Sequence, residues 1–202
     1  VSDLVVAGDG HRKCRWPVGD ALYEHYHDTE WGRPLHGDAA LYEKIALEGF
    51  QAGLSWITVL RKREAFRRAF SGFDPEIVAG FGERQIRRML ADAGIIRHRG
   101  KIESAINNAE RALEAIDEFG SLASLVWGFA PRRWTAPRSF ADIVAVTEHS
   151  GDLSKELKRR GWSFVGPTTM HAFMQSVGMV NDHLVGCWVR ADCERERRSP
   201  TG

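Results

Sequence analysis

The seven residues "NDHLVGC", 181–187, carry a histidine and a cysteine four positions apart, His183 and Cys187. On a helix that spacing puts two side chains on one face. An imidazole and a thiolate side by side are half of a tetrahedral zinc site. Toward the other end of the chain stand Cys14 and three imidazoles, His25, His27 and His36. None of these has finger-like spacing, so a small buried cysteine and a capping histidine read as well here as metal ligands do. Cys193, close to a basic tail, reads as a spare thiol.

A second stretch could hold an anion. "LSKELKRRGWSFVGPTTMHAFMQSVG" (153–178) predicts a helix ending near Gly161, a tight turn through Gly166-Pro167, and a second helix opening with Thr168-Thr169. Threonine at a helix start caps free amides, and glycine there lets another backbone approach. Exposed amides at a helix N-terminus hold a phosphate well, which is a way to grip DNA without reading its sequence. Basic clusters recur at "RKREAFRR" (61–68), "RHRGK" (97–101), "PRRW" (131–134) and "KRRGW" (158–162). Each alone reads as a solvated helix face. Together, on a chain of net charge +1, they suggest a segregated positive surface.

The elements that must position these groups are helical. Ile86, Met89, Leu90 and Ala93 follow the i, i+3, i+4, i+7 pattern, as do Leu122, Leu125, Val126 and Phe129, and Met170, Phe173, Met174 and Val177. Ile102, Ala105, Ile106, Ala109, Leu113 and Ile116 make a longer stripe. Convincing period-two alternation is absent, so the fold class is all-α. With 202 residues, 43% hydrophobic and 27% charged, the chain is long enough for a real core. It reads as one domain over 11–190, between a loose N-terminal end (1–10) and a loose tail (191–202). The segment 130–140, with Pro131 and Pro137, is the best junction between lobes. No apolar run approaches the ~20 residues a membrane span needs, and no secretory leader is expected. Three cysteines are too few and too odd for a disulfide framework, which favours a reducing cytosol.

Five strings are long and unusual in composition: "YHDTEWGRP" (26–34), "LEGFQAGLSWITVLRKRE" (47–64), "DAGIIRHRGKI" (92–102), "GWSFVGPTT" (161–169) and "VNDHLVGC" (180–187). With them the chain resembles bacterial DNA-3-methyladenine glycosylase I, from about Cys14 to Cys187. Their order is also similar to the wider helix–hairpin–helix glycosylase superfamily. The resemblance implies an all-α, two-lobed fold with a base pocket between the lobes. It implies one structural zinc tying the N- and C-terminal regions through Cys14, His27, His183 and Cys187. Two thiolates and two imidazoles are a closed set that suits zinc and leaves no place for water.

The same resemblance assigns the pocket. Glu48 matches the carboxylate that contacts the base edge, and it is the expected catalytic residue. Tyr26 matches a tyrosine that hydrogen-bonds the base, Trp56 the stacking ring, and Trp16 and Tyr23 aromatics of the wall. Trp31 also falls in a matching motif but reads first as core. Gly49 and Gly53, each costly in a helix, make an ordinary exposed-helix role for Glu48 less attractive. Gly166, Thr168 and Thr169 are the expected contacts to the DNA backbone.

The implied reaction is excision of 3-methyladenine from double-stranded alkylated DNA in the bacterial cytosol, with no obligate protein partner. Other superfamily members carry an aspartate shortly after the hairpin, where this chain has Asn181, with Asp182 one residue on. Bifunctional relatives carry a lysine near the place of Thr168. Without that amine no covalent imine forms, so hydrolysis alone is expected. Lys101 and Lys158 read as phosphate contacts. Two other readings compete: a non-catalytic alkylated-DNA-binding protein of the same fold, and a zinc enzyme. The second would need an open metal position, which four protein ligands deny.

Overall fold

A computed structural model describes residues 2–199. Ten α-helices occur among these residues: α1 (Ala21–Thr29), α2 (Asp38–Gln51), α3 (Trp56–Ala69), α4 (Pro75–Ala79), α5 (Glu83–Ala91), α6 (Arg99–Phe119), α7 (Leu122–Val126), α8 (Glu148–Arg159), α9 (Pro167–Ser176) and α10 (Arg190–Arg198). The expectation of an all-α chain needs one amendment. Leu4–Val6 (β1) pairs antiparallel with Arg12–Cys14 (β2), with Leu4 opposite Cys14. The pair is too short to show the alternation by which strands are recognised.

Neither expected loose end is loose where the structure describes it. Residues 4–6 lie in that hairpin, and Asp3 accepts a hydrogen bond from the amide of Phe140 at 2.9 Å. Residues 190–198 form α10, pinned by an ion pair between Arg33 and Glu196 and by the fully buried Cys193. Residue 1 and residues 200–202 lie outside the described residues.

Helix α2 is the central element, packed against α6 and α9, while α9 also packs against α8. Ten consecutive α2 residues, Leu41 to Phe50, are buried, which takes both an apolar stripe and buried charges. The main core runs through Leu41, Ile45, Phe50, Phe66, Phe70, Ile102, Met170 and Phe173. On α6 the inward stripe is Ile102, Ala105, Ile106, Ala109, Ala112 and Ala115, and small residues there let the long helix lie close to its neighbours. A second, smaller core gathers Leu4, Cys14, Leu184, Cys187, Val189 and Cys193, so the two ends of the chain share it.

One close approach fixes how the segment after α1 meets the end of α9. Gly178 has φ +76°, and a Cβ there would stand 2.5 Å from the backbone carbon of Arg33. Only glycine accepts both conditions. The amide of Leu35 donates to the Val177 carbonyl at 3.2 Å, and that of Gly32 to the Gln175 carbonyl at 3.0 Å.

Candidate active site

A cavity of about 150 Å³ opens between α1, α2, the start of α3 and α9, lined by Trp16, Tyr23, Tyr26, Trp31, Glu48, Gln51, Trp56, Ala172 and Gln175. All five side chains grouped from sequence as pocket residues line it. Trp31, read first as core, lines it too. The cavity is below the ~300–1,000 Å³ usual for drug-sized ligands and suits a single heterocycle.

Aromatic faces make the walls. Tyr26 and Trp56 stand 5.4 Å apart, ring centre to ring centre, and tilted. Trp16 meets Tyr23 edge-on at 4.6 Å and Trp31 edge-on at 5.2 Å. Burial raises the Tyr26 hydroxyl well above its ordinary pKa, so it stays an O–H donor.

Glu48 projects from α2 into this enclosure and is only 4% exposed. Among the described residues its Oε2 has no hydrogen-bond partner, and neither has the indole Nε1 of Trp56. Buried polar atoms without partners cost roughly 1–3 kcal/mol each, so native chains keep few. Both belong to residues that line the one aromatic cavity, which makes it the place where a ligand can supply partners. Burial pushes the Glu48 carboxyl up to about 7, against the opposing pull of Lys44 one helical turn away. Lys44 is itself buried, 3.7 Å from Glu30 and 4.8 Å from the centre of the Tyr26 ring. Burial lowers its ammonium pKa, which Glu30 and Glu48 resist.

A second hollow, about 160 Å³, shares Glu48, Gln51 and Ala172 with the first and runs to Gly53, Leu54, Thr168 and Thr169. Thr168 and Thr169 occupy the first turn of α9, but they do not cap it. Gly166 is the N-cap residue, Pro167 follows, and no side chain covers the free amides. A Cβ on Gly166 would meet nothing nearer than 4.0 Å, so packing within the chain does not demand glycine there. The turn before it is held from α6: Asn108 accepts from the Ser163 amide at 2.9 Å and donates to the Ser163 carbonyl at 2.9 Å.

Three of the four basic clusters are partly neutralised by ion pairs. Arg61, Arg63 and Arg67 pair with Asp20, Glu30 and Glu43, Arg99 with Glu83, and Arg160 with Glu118. Lys101, expected to reach a phosphate, is buried instead. Its ammonium donates to the carbonyls of Phe50 (2.9 Å) and Ala52 (2.6 Å), closing the C-terminal end of α2. Asn181 and Asp182 are also buried. Asn181 donates to the Arg190 carbonyl, while Asp182 accepts from Trp134 and Gln175.

Behind the aromatic wall, Cys14, His27, His183 and Cys187 come together, all buried, with one ligand atom from each within 4.8 Å of the others. His183 Nδ1 stands 3.1 Å from His27 Nε2, and Cys187 Sγ is 3.7 Å from the first and 3.6 Å from the second. The remaining ring nitrogens are spoken for. His27 Nδ1 donates to Asp28 at 2.7 Å, and His183 Nε2 donates to the Trp31 carbonyl at 2.9 Å. Cys14, with the two imidazoles, draws the Cys187 thiol far below its ordinary pKa. This group could hold a metal ion.

Gln51, Ala172 and Gln175 were not picked out from sequence. Gln51 lies three residues beyond Glu48, one helical turn along, and Gln175 three beyond Ala172. That spacing was the available signal.

A sequence model of the methyladenine glycosylase family matches residues 16–191. The chain is 48% identical over 177 residues to DNA-3-methyladenine glycosylase 1 of Escherichia coli, covering 87% of this chain and 95% of that protein. It is 44% identical over 179 residues to DNA-3-methyladenine glycosylase of Haemophilus influenzae, covering 87% and 96%. Among solved structures, 3-methyladenine DNA glycosylase I of Staphylococcus aureus, described for its recognition of 3-methyladenine, aligns with a TM-score of 0.84. It is 34% identical to this chain, and the alignment covers 88% of this chain and 96% of that one.

Proposed function

The chain belongs to the methyladenine glycosylase family, and on that footing we propose that it excises 3-methyladenine from alkylated DNA by hydrolysing the N-glycosidic bond, leaving an abasic site in an uncut strand. The observation that carries this is Glu48, a buried carboxylate with an unpartnered oxygen inside a single-heterocycle cavity of aromatic rings.

Alkylation at N3 gives the base a positive charge, which makes it a good leaving group before the protein acts. The enzyme's task is then discrimination more than acid catalysis. A cationic ring is attracted to aromatic faces and to an anion in a site of low dielectric. The damaged nucleotide leaves the stack and enters the cavity. Its base stacks on Trp56, while Glu48 and Tyr26 take its edge, and Trp16 and Tyr23 close the wall. A cation beside Glu48 offsets the burial that raises its carboxyl, so base and carboxylate stabilise each other's charge. The bond breaks as the base leaves neutral, and water adds to the sugar.

DNA is held through its backbone by the α8–α9 pair acting as a helix–hairpin–helix. The uncapped amides around Gly166, Thr168 and Thr169 face a phosphate, and the hollow shared with Glu48 joins that grip to the pocket. We read residues 11–190 as one glycosylase domain of two lobes, working in the bacterial cytosol without an obligate partner. The chain has no lysine at the place of Thr168, which supports hydrolysis without strand cleavage.

The four-ligand cluster takes one zinc. Ligands at 2.0–2.1 Å (N) and 2.3 Å (S) around a tetrahedron stand roughly 3.3 Å apart for two nitrogens and 3.6 Å for nitrogen and sulfur. The spacings here are 3.1 Å and 3.6–3.7 Å. The outer hydrogen bonds leave a lone pair on His27 Nε2 facing one on His183 Nδ1, an arrangement that calls for a cation between them. Zinc there supplies structure, since four protein ligands leave no position for water.

Product analysis tests the function. Incubation with alkylated duplex DNA should release free 3-methyladenine and leave strands that break only on later alkaline treatment. Release of no base, or direct strand scission, overturns the reading.

A further inference from the structure

We propose that Gln175 is a specificity-determining residue of the cavity, presenting its side-chain carbonyl oxygen to the base, and that Asp182 is the positioning residue that fixes this orientation. This deepens the function proposed above and rests on it.

Three side chains form a directed chain of hydrogen bonds. Trp134 Nε1 donates to Asp182 Oδ1 at 2.7 Å, and Gln175 Nε2 donates to Asp182 Oδ2 at 2.7 Å. An indole only donates and a carboxylate only accepts. The direction of both bonds is therefore set by chemistry, and the usual ambiguity of a glutamine amide does not arise. Turning the Gln175 amide over would put two oxygens against each other. Asp182 is 3% exposed and lines neither hollow, so it touches no ligand and acts only through Gln175.

Gln175, in contrast, is half-buried and lines the cavity opposite α2. With one N–H of its nitrogen held by Asp182, the amide cannot turn over, its oxygen is the acceptor left for the cavity, and among the described residues nothing donates to it. The backbone is held as well, because the Gln175 carbonyl accepts from Gly32 at 3.0 Å, next to Trp31. Beside two donors, the Tyr26 hydroxyl and the Trp56 indole N–H, the pocket thus offers two acceptors, the Glu48 carboxylate and the fixed Gln175 oxygen.

A fixed acceptor favours a purine whose 6-position donates. An adenine-type base carries an amino group there, and a hypoxanthine- or guanine-type base carries an oxygen. An acceptor that cannot turn meets that oxygen lone pair to lone pair, and such a mismatch discriminates far better than shape alone. Were Asp182 an amide, its oxygen would stay with the Trp134 indole and its NH2 would face Gln175, turning that amide so that its nitrogen, a donor, faced the cavity.

The test uses free bases that differ at the 6-position, 3-methyladenine and 3-methylhypoxanthine, titrated by quenching of tryptophan fluorescence. The parent should prefer the amino base by about ten- to a hundredfold, the scale of one buried polar mismatch. Asp182→Asn should collapse or reverse that preference, by tighter binding of 3-methylhypoxanthine together with weaker binding of 3-methyladenine. Gln175→Leu should collapse it by weaker binding of 3-methyladenine. The ratio of affinities is the deciding readout, because a merely structural loss lowers both affinities together. Zinc content and melting temperature are recorded for each variant, since Asp182 adjoins His183. If Asp182→Asn does not fold, Gln175→Leu, at a cavity-lining position, decides alone. An unchanged ratio in the folded variants overturns the proposal while the glycosylase reading stands. A parent that binds neither base overturns the reading beneath it.

Discussion

Trp16 meets the ring of His27 edge-on, centre to centre at 5.2 Å, so one wall of the cavity is also a wall of the four-ligand cluster. Trp31 stands in the same relation to His183, at 4.6 Å. The base pocket and the proposed metal site share a partition one side chain thick. Orientation of the imidazoles therefore sets orientation of the indoles.

Removing the metal should accordingly cost more than stability. The purified protein should contain one zinc per chain by elemental analysis. Chelation under mild denaturant, or Cys187→Ser, should lower stability by several kcal/mol, within the ~10 kcal/mol such sites can contribute. Affinity for 3-methyladenine should fall with it, as Trp16 and Trp31 lose their support. A metal-free chain of unchanged melting temperature and affinity would refute the assignment.

Glu48→Gln keeps the shape of the side chain and removes its charge. Hydrogen bonds to charged groups contribute about 1.5–3 kcal/mol, so excision should slow by about ten- to a hundredfold, and base affinity should drop in step. Single-turnover release of 3-methyladenine reads the first quantity and fluorescence titration the second. A variant that excises at the parent rate rules out the pocket assignment.

With the Glu48 carboxyl raised to about 7, pH acts in two opposite ways. Below about pH 7 Glu48 takes a proton, so affinity for the cationic nucleotide should decline as the solution is acidified, and Glu48→Gln should flatten the profile. Stability runs the other way. Between the ordinary value of 4.5 and about 7 the folded state holds a proton that the unfolded chain has released. The parent should therefore lose stability relative to Glu48→Gln as pH rises through that window. Paired melting curves at pH 4.5, 6 and 8 check the sign.

Gly178→Ala is a backbone test remote from both ligands. A Cβ at φ +76°, 2.5 Å from the Arg33 backbone, forces the 31–35 segment off α9. The expected cost is roughly 3 kcal/mol by urea unfolding. Loss of base affinity should exceed what the unfolded fraction accounts for, because Gly32 and Gln175 are bonded across that contact.

Much of this was legible in the sequence because it is written in local spacing. The helical stripes at Ile86 and Met89, Leu122 and Leu125, and Met170 and Phe173 are buried. The pocket came from the family resemblance and not from spacing: Glu48, Tyr26, Trp56, Trp16 and Tyr23 share one cavity, together with Trp31. The convergence of Cys14 and His27 on His183 and Cys187 could not come from spacing, since tertiary packing brings them together across more than 150 residues. Only the family resemblance pointed to it. Threonines at the α9 start looked like caps, but Gly166 took that place and left the amides open. Lys101 looked like a phosphate ligand because its neighbours are basic, while its partners, the Phe50 and Ala52 carbonyls, lie about fifty residues upstream. Gln175 escaped notice because its significance depends on Asp182 and Trp134, and no local pattern links the three.

The cluster that joins residue 14 to residue 187 also sets a timetable. Trp16, Tyr23 and Trp31 leave the ribosome about 150 residues before the imidazole and thiolate that complete their backing. A chain interrupted between residue 31 and residue 183 holds half a ligand set and an indole wall with nothing behind it. Capture of a flipped base therefore waits on synthesis of the distant half of the cluster.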